Sequence, residues 1–194
     1  MTTLFETGER LGNFEVESGQ LNVSDPCYDR DTWCAGVVDN CKLGTWRAEV
    51  VKSCEGSWGV RCAALLVHHK DYSRHMLGKY ASVTAEFEVG VDSGQAGVFD
   101  LKWYKADQVV KESLFTPGLD RICEDEPWYS LCCDRTMGEM GAGTIPHGAV
   151  SSSGFGDGCY EAEIFKNEDG ECIAIQITFI PEEDEEDDWE EDEE

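Results

Sequence analysis

Between Ala81 and Val91 the sequence alternates, with Val83, Ala85, Phe87, Val89 and Val91 on one face and Thr84, Glu86 and Glu88 on the other. A period of two is what a strand with one buried face requires, and it is incompatible with a helix, whose faces repeat every 3.6 residues. The same period returns near the C-terminus, where Ile173, Ile175, Ile177 and Phe179 alternate with Ala174, Gln176 and Thr178. That run pairs with Tyr160 to Phe165 across Lys166-Asn167-Glu168-Asp169-Gly170, whose Asp-Gly supplies the positive backbone dihedrals of a tight turn, and Pro181 ends it. Half-buried strands of this kind belong to antiparallel sheets.

Shorter signals fill in the rest. Gln20 to Val23 reads as a strand that stops at the Ser24-Asp25-Pro26 turn, because the residue before a proline is pushed out of helical space. Thr45 to Lys52, Trp58 to His68 and Gln95 to Tyr104 carry strand composition, with breaks at Gly56-Ser57, Lys70 to Ser73 and Asp92-Ser93-Gly94. His68 and His69, adjacent in a strand, are expected on opposite faces, one of them exposed.

The stretch before Gln20 is weakly patterned and Tyr28 to Lys42 reads as a loop with room for one helical turn. Glu126 to Arg135, with Pro127 at the first turn and acidic residues before it, is predicted helical, and Asp107 to Phe115 is helical or irregular. Gly138 to Gly143 is glycine-rich but lacks the lysine of a phosphate-binding loop, so it reads as a flexible connection. The expected fold is mainly β: an antiparallel sandwich or open barrel with one or two short helices, one domain over residues 1–181, and a disordered acidic tail over 182–194.

Charge narrows the partners. The net charge is −26, and the last thirteen residues, Glu182 to Glu194, supply twelve of those units around the single apolar Trp189. Too little apolar area is present there to offset ordering the backbone, so the tail is expected to be disordered when free. The remaining body, still near −14, cannot neutralise phosphates, which excludes direct nucleic-acid binding and favours a basic protein partner. No apolar run approaches a membrane span and the opening Met1 to Glu6 lacks the features of a secretory leader, which predicts a cytoplasmic location and mostly reduced cysteines despite ten of them.

Three turns carry the candidate chemistry: Val23-Ser24-Asp25-Pro26-Cys27-Tyr28, Gly90-Val91-Asp92-Ser93-Gly94-Gln95 and Ser152-Ser153-Gly154-Phe155-Gly156-Asp157-Gly158. If strand order brings them together, Asp25, Asp92, Ser93, Gln95, Ser153 and Asp157 form a ligand site. The carboxylates of Asp25, Asp92 and Asp157 would then suit a divalent cation such as Mg²⁺, Mn²⁺ or Ca²⁺. The alternative is that each Asp caps its own turn by accepting backbone N–H bonds. His68, His69, His75 and His147 stand in no catalytic spacing, and no nucleophile elbow is present.

The ordered series Gly19 to Pro26, Gly90 to Gly94, and Gly154-Phe155-Gly156-Asp157-Gly158-Cys159-Tyr160 with the following Asp-Gly hairpin resembles an uncharacterised bacterial domain-of-unknown-function family that also occurs in phages. The resemblance spans about residues 19–180 and implies a compact β-rich domain without assigning an activity; a phage protein acting on a host system is the setting it suggests. The acidic tail and the cysteine richness depart from that family. Three functional expectations follow: a module binding a small ligand or protein partner through the three turns; a metal-dependent hydrolase using Asp25, Asp92 and Asp157; or an electrostatic mimic whose tail, anchored by Trp189, occupies a basic groove.

Overall fold

The computed structural model of the chain describes residues 8–73, 75–77, 82–114 and 126–182; the tail beyond Glu182, and Trp189 with it, lies outside them. Among these residues are eleven strands: β1 (Glu9–Val16), β2 (Leu21–Ser24), β3 (Gly36–Val38), β4 (Gly44–Cys54), β5 (Val60–His69), β6 (Ser82–Val91), β7 (Gln95–Asp100), β8 (Ala142–Ile145), β9 (Gly148–Ser152), β10 (Gly158–Lys166) and β11 (Cys172–Thr178). The helices α1 (Asp107–Leu114) and α2 (Pro127–Thr136) accompany them, with a 3₁₀ turn at Gly56–Trp58. No helix among the described residues is long and apolar enough to cross a membrane.

The strands form two antiparallel sheets, one in the order β1-β4-β5-β11-β10-β6 and the other β3-β2-β7-β9-β8, and neither closes into a barrel. Their inner faces share one apolar core, in which Phe14, Trp46, Val50, Leu65 and Ile175 of the first sheet meet Leu21, Val23, Ala96 and Val98 of the second. The other face of the second sheet is covered by α1 and α2: Phe99, Ile145 and Val150 pack on Tyr104, Val109, Trp128 and Leu131. The molecule is therefore a β-sandwich with a helical layer on one side, and the second sheet, apolar on both faces, lies in the middle.

Several segments differ from the sequence reading, each for a local reason. β1 arises from the stretch without clear pattern, because a register shift between Arg10 and Gly12 interrupts the two-residue period and leaves only Phe14 and Val16 buried. The supposed connection at Gly138 to Gly143 ends inside a strand, β8, which pairs with β9. The glycines there are packing devices: a Cβ on Gly143 would lie 2.9 Å from Arg135 of α2, and one on Gly148 would lie 2.6 Å from the Phe99 ring. Gln95 to Tyr104 is a strand only as far as Asp100, and Asp107–Leu114 is helical.

His68 and His69 are both buried, which corrects the expectation that one would be exposed. His69 holds a neutral-ring arrangement, with Nε2 3.1 Å from the Leu43 carbonyl and Nδ1 accepting the Asp71 amide at 3.3 Å. Burial lowers its pKa, only partly opposed by the Asp71 carboxylate. The unfolded chain therefore binds a proton more readily than the folded one, between the ordinary histidine pKa of about 6.5 and the lower folded value. Stability should fall as pH drops through that window. His69→Gln should flatten this part of the slope in urea unfolding from pH 7 to pH 5; an unchanged slope would refute the assignment.

Candidate functional site

The three turns meet at one end of the sandwich. Asp25, at the C-terminal end of β2, is fully buried. Its Oδ2 accepts the backbone amides of Asp92 at 2.9 Å and Ser93 at 2.8 Å, and its Oδ1 accepts the Ser93 hydroxyl at 2.7 Å and the Cys27 amide at 2.8 Å. A single carboxylate thus caps its own turn and clamps the β6–β7 turn. The third turn joins through the Ser153 amide, which donates to the Gly94 carbonyl at 3.0 Å.

The predicted site residues divide by role. Ser153 is buried and donates its hydroxyl to the Gly156 carbonyl at 2.7 Å, closing its own turn, while the Tyr160 hydroxyl reaches the same carbonyl. Gln95 is buried and spent on α2, its amide donating to Cys133 Sγ at 3.3 Å and accepting from the Thr136 hydroxyl at 3.0 Å. Asp25, Ser93, Gln95 and Ser153 therefore build the end of the sandwich rather than face a ligand. Asp92 and Asp157 are exposed and line a cleft.

This arrangement bears on the cation reading. Both oxygens of Asp25 are occupied by N–H and O–H donors, which point their positive ends where a metal ion would sit. Among the described residues no group of three or more His, Cys, Asp or Glu is placed to hold a metal ion. Asp25, Asp92 and Asp157 share an end of the molecule, with Asp25 turned inward onto backbone donors and Asp92 and Asp157 exposed.

The cleft has a volume of about 430 Å³ and is lined by Tyr28, Thr32, Trp33, Cys34, Gly90, Val91, Asp92, Asp157, Gly158 and Cys159. Its wall comes from the loop after β2, which is fastened to the edge of β6 by the Gly90 amide donating to the Cys34 carbonyl at 3.0 Å. Gly90 permits that approach, since a Cβ there would lie 2.8 Å from Cys34 Cβ. Trp33 is 90 % exposed. Burial first, then the neighbouring Asp92 and Cys34, push the Tyr28 hydroxyl pKa well above the ordinary value, so it stays protonated.

Charge continues down the same ladder. In the β6–β10 register Gly90 lies opposite Cys159 and Glu88 opposite Glu161, so two carboxylates face each other on the side of the sheet that Gly90 and Cys159 share. Like charges directly opposed across strands are unfavourable unless something positive is near. Neither Asp92 nor Asp157 is in a salt bridge among the described residues. Two further exposed aromatics stand at this end, Phe155 in the third turn and Trp58, their rings 6.0 Å apart edge to face.

Trp33 and Tyr28 were not among the residues singled out from the sequence. The available signal was a tryptophan between Asp31-Thr32 and Cys34 in a polar loop, a place where burial offers it nothing.

A family profile described as a protein of unknown function, DUF4241, matches residues 14–177. The chain belongs to the DUF4241 family. The matched span runs from within β1 to within β11, so all three turns and the cleft lie inside the DUF4241 domain. No curated protein and no solved structure matches the chain.

Proposed function

We propose that this DUF4241 domain is a binding module whose cleft between Trp33, Asp92 and Asp157 receives a cationic side chain of a partner protein, without turnover. The observation that carries this reading is an almost wholly exposed indole beside two carboxylates that lack a cation. An ammonium or guanidinium group seated there would lie against the tryptophan face and between the carboxylates, gaining a cation–π contact and charge-assisted hydrogen bonds together. Glu88 and Glu161 extend the negative surface along the sheet, which would steer a basic segment toward the cleft and make association salt-dependent.

Titration calorimetry with an arginine-rich and a lysine-rich peptide tests the reading. Binding is expected to weaken steeply with salt, and Trp33→Ala and Asp92→Asn should each weaken it about ten-fold, equivalent to ~1.4 kcal/mol. Both side chains are exposed, so the melting temperature of these variants should stay at the parent value. Removing residues 183–194 separates the cleft from the tail: unchanged binding supports the cleft, and loss of binding would transfer the role to the tail with Trp189. Failure of the parent to bind either peptide would overturn the proposal.

A further inference from the structure

At the opposite end of the sandwich two cysteines meet inside the core. Cys41, in the connection from β3 to β4, and Cys172, the first residue of β11, are partners in an isolated parallel bridge. The bridge is closed by the Cys172 amide donating to the Asn40 carbonyl at 2.9 Å and the Lys42 amide donating to the Cys172 carbonyl at 2.9 Å. Bridge partners in neighbouring strands lie about 5 Å apart at Cα, inside the range a disulfide spans without backbone movement.

The two thiols are near enough to influence each other, and each also reaches a carbonyl, that of Cys41 donating to Val38 at 3.2 Å and that of Cys172 to Ala174 at 3.6 Å. Both residues are buried. Cys41 nevertheless lines a cleft of about 820 Å³ with Gly19, Leu43, His69 and Glu171, which gives a small oxidant a way in. All described cysteines are free thiols.

We propose that Cys41 and Cys172 are a reversible redox pair that closes to a disulfide on exposure to a peroxide. One sulfur attacks hydrogen peroxide, takes up one oxygen as a sulfenic acid and releases water. The second sulfur then displaces that hydroxyl as a second water, so that two thiols and one peroxide give one disulfide and two waters. The neighbouring thiol and burial push the Cys41 pKa well above the usual thiol value, which makes its attack on the peroxide slow and leaves the pair reduced under mild conditions.

The bond would tie the β3–β4 connection to β11 and close a loop of roughly 130 residues, which constrains the unfolded chain strongly. The pair is remote from the Trp33 cleft, and the proposal stands or falls independently of peptide binding.

The test uses the full chain treated with hydrogen peroxide, blocked with an alkylating agent, digested without reduction and mapped by mass spectrometry. A linked Cys41–Cys172 peptide pair is expected, together with a rise in melting temperature of roughly 10 °C that dithiothreitol reverses. Cys41→Ser and Cys172→Ser should each abolish both. Recovery of Cys41 and Cys172 as separately alkylated peptides after oxidation would overturn the proposal, as would a temperature rise that survives in Cys172→Ser. If a serine variant does not fold, the peptide map and the reductant-reversible shift of the parent decide the matter alone.

Discussion

Asp25→Ala is expected to cost about 4 kcal/mol of folding stability, because it removes one acceptor from four donors at once. The amides of Cys27, Asp92 and Ser93 and the Ser93 hydroxyl all converge on this carboxylate. Left without it in a fully buried position, each donor that finds no water loses roughly 1 kcal/mol or more, and the two clamped turns lose their common anchor. Asp25→Asn keeps the shape but turns one oxygen into a donor facing donors, so its loss should be about half as large. Asp92→Asn and Asp157→Asn, at exposed positions, should change stability by less than about 0.5 kcal/mol. Urea unfolding of the four variants checks the pattern; equal losses at Asp25 and Asp92 would show that the clamp has been misread.

The contrast also decides what this end of the molecule is for. Of the three aspartates, one is architecture and two are surface, although the sequence presents all three in similar glycine- and serine-rich turns. Residue type and turn context identify a carboxylate near a strand end, and they do not say whether it points inward. That depends on strand order: β2 lies beside β7, so the residue after β2 reaches the turn before β7. Asp100 repeats the device at the other end of the same strand pair, accepting the amides of Glu17 at 2.6 Å and Ser18 at 2.9 Å, and nothing in its own sequence neighbourhood marks it.

What was legible follows the same division. The strands with a two-residue period, β6 and β11, and the β10–β11 hairpin could be read because bulky apolar residues recur at alternate positions. β11 is nevertheless buried on both faces, with Ala174 and Gln176 as fully enclosed as Ile175 and Ile177, which corrects the expectation of one exposed face. β8 and β9 were illegible because helices cover the face away from the core, so both faces are apolar or small and no alternation survives. β3, three residues long, is too short to show a period. The cleft was half legible: its carboxylates stood out, while Trp33 and Tyr28 enter through a loop whose course over the edge of β6 only the fold determines.

Trp46→Ala is the second large effect, expected to cost about 3–5 kcal/mol. The indole is completely buried at the centre of the shared core, 6.4 Å from the Phe14 ring and 6.4 Å from that of His69 between centroids. Truncation leaves a cavity lined by strands held in register on both sides, which cannot collapse into it. Part of the cost is polar, because Trp46 Nε1 donates to the Lys42 carbonyl at 2.8 Å and so fixes the connection that carries Cys41. Trp46→Phe separates the two contributions: it keeps most of the apolar area and loses the hydrogen bond, for about 1–2 kcal/mol. Because the same bond holds the Cys41 segment against β11, Trp46→Phe should also speed alkylation of Cys41 in the native protein while leaving that of Cys62, buried elsewhere in the core, unchanged. Equal acceleration at both cysteines would mean that the substitution loosens the whole core rather than this connection.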